Sequence, residues 1–266
     1  MQQKTYAITG VASGIGAELV TLLKRDGHRV IGYDINNANS DVDRFIALDL
    51  NSETAIDDAV SQTDEALHGL CNNAGLPPRE GLEQQLLQVN FLGQRRFTKG
   101  MLSLLAENAS IVNMASKAGH GWRDNLEQVK RLALVSSRSQ LPAFIEAEAI
   151  NPTRCYNLSK EAMLLWTAAE SELMVAKQCR INSISPAAIS TNILDDFRRA
   201  FGDKVDQNTS RTGRPGLPRE VAAVARFLLS AESHWIKGTD IPVDGGMGAF
   251  MMSDALDLHD MQMLTR

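Results

Sequence analysis

The chain has 266 residues, 44 % of them hydrophobic, enough to bury one substantial core, and α/β folds of this length commonly form a single domain. Its formal net charge of -5 comes from interspersed acidic and basic residues, so no broad positive field invites nucleic acid or an anionic membrane surface, and a small-molecule partner is expected. Cys71, Cys155 and Cys179 lack the close pairing of metal or redox motifs, so they read as reduced thiols, and no metal site is expected.

Residues 1–5 lead directly into an apolar strand pattern without a charged leader or cleavage signal, and no run is long enough to span a bilayer. A cytoplasmic protein is expected. In chain order, strands are predicted over Thr5–Thr9, Arg29–Asp34, 45–48, 67–71, 110–115, 180–185 and Asp240–Val243. Between them, Gly14–Arg25 carries Ile15, Leu19, Leu22 and Leu23 at helical spacing, and further helices are predicted over 84–105, 157–177 and 219–229. Strand and helix alternate, which predicts an α/β fold of the Rossmann type: a doubly wound parallel sheet with helices on both faces, in one domain spanning 1–266. The Gly/Pro-rich run 213–218 reads as a loop. After Gly246 the pattern of Met247, Phe250, Met251 and Met252 has no clear period, and it suits either a cover for an apolar surface or a frayed tail.

The first strand ends in Thr9-Gly10-Val11-Ala12-Ser13-Gly14-Ile15-Gly16, and a helix pattern follows at once. Glycine lets the chain turn sharply and bring backbone N–H groups and a helix N-terminus against a pyrophosphate. Asp34 closes the second strand 18 residues beyond Gly16, where a carboxylate accepts hydrogen bonds from ribose hydroxyls and repels a 2'-phosphate. NAD is therefore the expected cofactor. Each feature also has a plain structural reading, an ordinary strand-helix turn and a solvated strand end.

Gly10-xxx-Gly14-x-Gly16 resembles the short-chain dehydrogenase/reductase family, and the likeness extends across nearly the whole chain through Asp49, Asn72-Asn73-Ala74-Gly75, Asn90, Ser116, Tyr156-xxx-Lys160, Pro186 with Thr191, and Asp244-Gly245-Gly246. The resemblance implies that Gly10, Ser13, Gly14, Ile15 and Gly16 hold the pyrophosphate end, that Asp49 and Leu50 approach the adenine, and that Asn72 to Gly75, among them Asn73 and Ala74, line the adenosine side. Ile189 and Thr191 would hold the nicotinamide carboxamide. The family has Pro-Gly after the sixth strand; here it is Pro186-Ala187, and alanine narrows the backbone angles open to that loop.

Tyr156 and Lys160 lie four residues apart, so on a helix they project from one face toward one substrate. A free phenol is too weakly acidic to serve as a base near neutral pH, but a neighbouring ammonium and an oxidised nicotinamide favour the phenolate. Tyr156 would take the hydroxyl proton in alcohol oxidation and return it in carbonyl reduction, and Ser116 would hydrogen-bond the substrate oxygen. The family match gives Asn90 a water that connects Lys160 to solvent. Singly, these four also read as an interface aromatic, a solvated charge, a strand-end hydroxyl and a helix polar residue.

Ser116 and Tyr156 are 40 positions apart, wider than the family's usual spacing, so a helical insertion at about 117–152 is expected to fold outward. Within it, 124–137 and 142–150 read as helices. A long segment here resembles the subgroup that holds bacterial 3α-hydroxysteroid dehydrogenase/carbonyl reductase and coniferyl-alcohol dehydrogenase, which implies a bulky, largely apolar alcohol or ketone and a homo-oligomer, dimer or tetramer. Leu194, Phe197 and Phe201 suit an apolar lid or simple helix packing. His120 and Trp122 border the place for substrate, although His120 reads more readily as a hydrogen-bonded loop histidine. Arg95, Arg96 and Lys99 read as a solvated face or subunit contact. The function expected is NAD-dependent interconversion of an alcohol and its carbonyl. A non-catalytic nucleotide sensor, or an epimerase or dehydratase on the same fold, are the alternatives.

Overall fold

The computed structural model describes residues 3–36 and 41–261; Met1 and Gln2 of the stretch leading into the first strand, and residues 262–266 of the C-terminal segment, lie outside the described residues. Seven strands, β1 (Thr5–Thr9), β2 (Arg29–Asp34), β3 (Arg44–Ala47), β4 (Leu67–Asn72), β5 (Leu105–Met114), β6 (Arg180–Pro186) and β7 (Asp240–Val243), form one parallel sheet in the order β3-β2-β1-β4-β5-β6-β7. Strand order reverses between β1 and β4. Crossovers on either side of that point run away from each other, which opens a crevice above the carboxyl ends of the strands.

Helices cover both faces, as parallel strands buried on two sides require. Helices α1 (Gly14–Arg25) and α10 (Pro218–Leu229) cover one face, and α2 (Glu53–Ser61), α4 (Gly93–Met101) and α7 (Pro152–Ala176) cover the other. Side chains alternate along β1 accordingly: Tyr6 and Ile8 pack with Leu19, Leu23 and Leu228, whereas Ala7 packs with Phe97 and Met174.

Three departures from the sequence reading affect the site. First, the helix predicted over 84–105 is divided into α3 (Glu83–Leu87), a π turn (Gln88–Leu92), α4 and a 3-10 turn (Leu102–Leu104). A π turn adds one residue to a helical turn and re-aims the helix beyond it. Gly93 fits there because a Cβ would lie 2.4 Å from the Leu50 carbonyl oxygen. Second, β5 starts at Leu105 instead of 110, because Glu107 and Asn108 are exposed and hide its early part from an apolar pattern.

Third, the segment between Ser116 and α7 does not simply fold outward. Its 3-10 turn Lys117–Arg123 and helices α5 (Leu126–Leu134) and α6 (Leu141–Glu148) lie along α3 and α7, where Val129, Leu132, Leu141 and Ile150 bury with Leu86, Phe91 and Leu158. Arg95 ends α5 by donating to the carbonyls of Ala133 (2.8 Å) and Val135 (2.6 Å), and Arg96 pairs with Asp57. Those two arginines are internal ties. Helices α8 (Leu194–Phe201) and α9 (Asp203–Thr212) follow β6, and the segment after Gly246 forms α11 (Met247–Ala255). No helix among the described residues is long and apolar enough to cross a membrane.

Thr9 joins the two sides of the crevice. Its Oγ1 accepts from the backbone N–H groups of Asn73 and Ala74, each at 3.0 Å, and Asn73 Nδ2 donates back to the carbonyls of Thr9 (3.0 Å) and Gly10 (3.1 Å). Thr9→Val keeps the shape and orphans two amides, so it is expected to lower unfolding free energy by about 1–3 kcal/mol. A urea midpoint equal to wild type would show that the tie contributes nothing.

Candidate active site

The turn after β1 is built for close approach. Gly10 and Gly14 have φ of +74° and +57°, and a Cβ on Gly10 would lie 2.9 Å from Ala74 Cα. Ser13, the N-cap residue of α1, makes no side-chain cap and the first turn holds no acidic residue, which leaves the helix's partial positive charge open to the crevice. A cavity of about 340 Å³ lies over this turn and the strand ends. It is lined by the residues expected to hold a nucleotide, from Gly10, Ser13, Gly14, Ile15, Asp34, Asp49 and Leu50 through Asn73, Ala74 and Gly75 to Tyr156, Lys160, Ile189 and Thr191, with two exceptions, Gly16 and Asn72.

Gly16 packs against the turn from behind: a Cβ there would lie 2.0 Å from the Gly10 carbonyl oxygen. Asn72 also departs from the family-based expectation. It is buried on the interior side, where its Nδ2 donates to Thr98 Oγ1 (2.7 Å) and Asn113 Oδ1 (2.8 Å), and only Asn73, Ala74 and Gly75 reach the cavity. At the far end Asp34 accepts from the N–H groups of Ala12 (2.9 Å) and Asn36 (3.0 Å), so its carboxylate is fixed at the rim.

Tyr156 and Lys160 stand one turn apart on α7, both buried, with Lys160 Nζ 5.8 Å from the centre of the Tyr156 ring. Lys160 Nζ donates to the Met114 carbonyl at 2.8 Å. Burial pushes the lysine down to about 8 and the phenol up to about 12, with the Ser116 hydroxyl pulling the phenol back in part. Loss of water around Tyr156 outweighs the Ser116 hydrogen bond, so at neutral pH the phenol keeps its proton. Ser116 Oγ faces this pair and accepts from Ala118 N–H at 3.2 Å.

Asn90 sits in the π turn behind Gly75 rather than in the cavity wall. Its side chain accepts from Leu76 N–H (2.7 Å) and donates to the Leu76 carbonyl (3.0 Å), so both ends are committed to shaping that loop. The loop after β6 accommodates Ala187 without strain: Ala187 is not among the described non-glycine residues with positive φ. Ser190 N–H donates to the Gly216 carbonyl and Gly216 N–H to that of Ala188, which pins the loop beside Ile189 and Thr191.

On the other side of Tyr156 lies a chamber of about 800 Å³. Phe197 and Phe201 of α8 meet the Tyr156 ring edge-on, with centres 5.2 and 6.3 Å away, so α8 does cover the site. Asp196 ties that helix to the opposite rim by accepting from Arg79 at 2.6 Å. His120 borders the chamber and is also hydrogen-bonded, its Nε2 lying 3.1 Å from Asp240 Oδ2. Sequence reasoning missed Thr9, Arg79, Asp196 and Lys117. Only Lys117, next to Ser116, carried a local signal.

Comparison with known proteins agrees with this architecture. Residues 4–126 match the family model described as short chain dehydrogenase, and residues 141–248 match one described as enoyl-(acyl carrier protein) reductase. The chain is 37 % identical over 251 residues to coniferyl-alcohol dehydrogenase of Pseudomonas sp. (strain HR199 / DSM 7063), covering 94 % of this chain and 98 % of that protein. It is 27 % identical over 251 residues to 3-alpha-hydroxysteroid dehydrogenase/carbonyl reductase of Comamonas testosteroni, covering 92 % and 96 %. Among solved structures, the 3-alpha-hydroxysteroid dehydrogenase from Pseudomonas sp. B-0831 complexed with NADH superposes with a TM-score of 0.81 at 29 % identity, over 94 % of this chain and 98 % of that one. The chain belongs to the short-chain dehydrogenase/reductase family, and it is an oxidoreductase that interconverts an alcohol and its carbonyl.

A buried ammonium is a stability cost. A fall from 10.5 to about 8 corresponds to about 3 kcal/mol against the folded state wherever Lys160 is charged in both states, that is, below pH 8. Between about 8 and 10.5 the folded protein releases this proton before the unfolded chain does, so stability contributed by this group rises with pH. Lys160→Met, which leaves the Met114 carbonyl unpaired at a cost of about 1 kcal/mol, is expected to be more stable than wild type by about 2 kcal/mol at pH 7 and to lose that lead by pH 10.5. Denaturant titrations at the two pH values check this; a variant less stable at both would contradict it.

Proposed function

We propose that this protein is a cytoplasmic, NAD-dependent alcohol dehydrogenase acting on a bulky, largely apolar secondary or aromatic alcohol, in the oxidative direction. The observation that carries this reading is that the nucleotide cleft and the large chamber meet at Ser116, Tyr156, Ala187, Ile189 and Phe197. The glycine turn and the uncapped α1 terminus fit a pyrophosphate, and Asp34 fits a ribose diol. Ala12, Ser13, Ile35 and Asn36, which line the cleft beside Asp34, offer no cation for a 2'-phosphate. The relatives named for coniferyl alcohol and hydroxysteroids support a large substrate.

Gly10, Ser13, Gly14, Asp34, Ile189 and Thr191 would hold the oxidised nucleotide, which would supply a hydride acceptor and a positive charge. Tyr156 takes the alcohol proton, and Ser116 donates a hydrogen bond to the substrate oxygen. Lys160 favours the phenolate by its charge. In the reverse direction the phenol, pushed up to about 12, is ready as the acid. Asn90 holds the Leu76 loop that frames Gly75 next to Lys160. The whole chain forms one catalytic domain with 117–152 as a helical insertion, and it assembles as a homo-oligomer, dimer or tetramer.

Absorbance of the reduced nicotinamide tests the reading: NAD with aromatic alcohols or hydroxysteroids is expected to give turnover, and nucleotide binding without turnover across both classes would contradict it. Tyr156→Phe is expected to lower kcat by at least about 100-fold with nucleotide affinity retained, because only the acid-base proton is removed. Wild-type kcat would remove Tyr156 from the chemistry. Asp34→Ala is expected to reduce the preference for NAD over NADP about tenfold or more, read as a ratio of kcat/KM; an unchanged ratio would place cofactor selection elsewhere.

A further inference from the structure

The chamber next to Tyr156 joins an aromatic end to a charged group near α11. Phe197 and Phe201 of α8 line the aromatic end, whereas Lys117, directly after Ser116, lies beneath Gly248 of α11, whose Met247 and Met251 also line the chamber. Lys117 Nζ lies 3.2 Å from His120 Nδ1, and His120 Nε2 lies 3.1 Å from Asp240 Oδ2, whose other oxygen accepts from Ser183 (2.8 Å) and Ser185 (2.9 Å). The chain of contacts is satisfied when Lys117 donates to Nδ1 and Nε2–H donates to Asp240. That arrangement holds the lysine head in place.

One N–H of the Lys117 ammonium then donates to His120 Nδ1. A second is directed to Asp244, at 3.6 Å too far for a hydrogen bond, and both Asp244 oxygens already accept backbone N–H groups, from Gly246 (3.0 Å) and Gly248 (2.8 Å). The third has no hydrogen-bond partner among the described residues, and the side chain is 22 % exposed. Charge in the chamber wall points the same way. Three cations, Lys117, Lys204 and Arg214, face two carboxylates, Asp244 and Glu220, and Arg214 and Glu220 already satisfy each other at 2.6 and 2.9 Å. In a chain of net charge -5, a chamber with surplus positive charge is a local feature of this site.

We propose that Lys117 is a specificity-determining residue that binds an anionic oxygen of the substrate, so that the preferred substrate is an amphipathic alcohol carrying a carboxylate in addition to the hydroxyl placed at Ser116 and Tyr156. The inference rests on the dehydrogenase reading above and deepens it. The aromatic end takes the ring or apolar body, and the pre-positioned ammonium donates to the carboxylate without first having to be ordered.

The test is calorimetric titration of the NAD-saturated enzyme with the meta and para isomers of hydroxymethylbenzoate and with their uncharged methyl esters. At least one acid is expected to bind about tenfold more tightly than its ester in the wild type, the preference is expected to vanish in Lys117→Met, and Lys117→Arg is expected to retain most of it. Esters that bind as tightly as both acids, no measurable binding of any of the four, or a preference that survives Lys117→Met, would overturn the inference. Reduction of NAD followed in the same mixtures reports separately on the dehydrogenase reading, since an ester turned over without acid preference sinks only the role of Lys117. An acid preference without turnover supports Lys117 and counts against the dehydrogenase.

Discussion

Burial of the Lys160 ammonium beside Tyr156, with the Met114 carbonyl as its acceptor, is the constraint on which the remaining structure depends. An isolated charge held away from water is costly unless its surroundings are rigid and specific. Here the end of β5 supplies that rigidity. Met114 holds the lysine, Ser116 comes two residues later, and Gly119 presses so closely on the Lys160 backbone that a Cβ would lie 2.8 Å from it. One strand end and one helix thereby set three side chains with no loop between strand and hydroxyl long enough to loosen them.

The insertion strengthens the same helix from its outer side. Arg154 makes a bidentate pair with buried Glu161 (2.8 and 2.6 Å), Asn125 donates to the same carboxylate (3.1 Å), and Gln128 accepts from Arg154 (2.7 Å). These bonds bracket Tyr156 and Lys160 in sequence. The aromatic contacts from α8 and the Arg79–Asp196 pair close the remaining side, so the protein gives up stability at Lys160 and spends packing around it to keep the site dry.

Features decided by local patterning were legible in the sequence. The bounds of β1, β2, β7 and α1 coincide with their patterns, because each couples an apolar period to a turn residue close by. The glycine turn, Asp34, Ser116, Tyr156 and Lys160 converge on one cavity, as their order along an alternating strand-helix chain implied. Legibility failed where distant parts of the chain decide. The π turn depends on Leu50 approaching Gly93, the early part of β5 on pairing that its polar residues conceal, and the inward turn of Asn72 on Thr98 and Asn113. The elevated Tyr156 pKa is likewise a property of burial by Phe197 and Phe201, which no spacing of Tyr156 and Lys160 can express.

A single reacting position at Ser116 and Tyr156, shared by the nucleotide cleft and the chamber, is tested most directly by a crystal structure of the protein with NAD and a slowly reacting aromatic alcohol. The alcohol oxygen is expected within hydrogen-bond distance of both Ser116 Oγ and Tyr156 Oη, with its carbon facing the nicotinamide. An alcohol bound in the chamber with its oxygen turned away from both hydroxyls would contradict this arrangement.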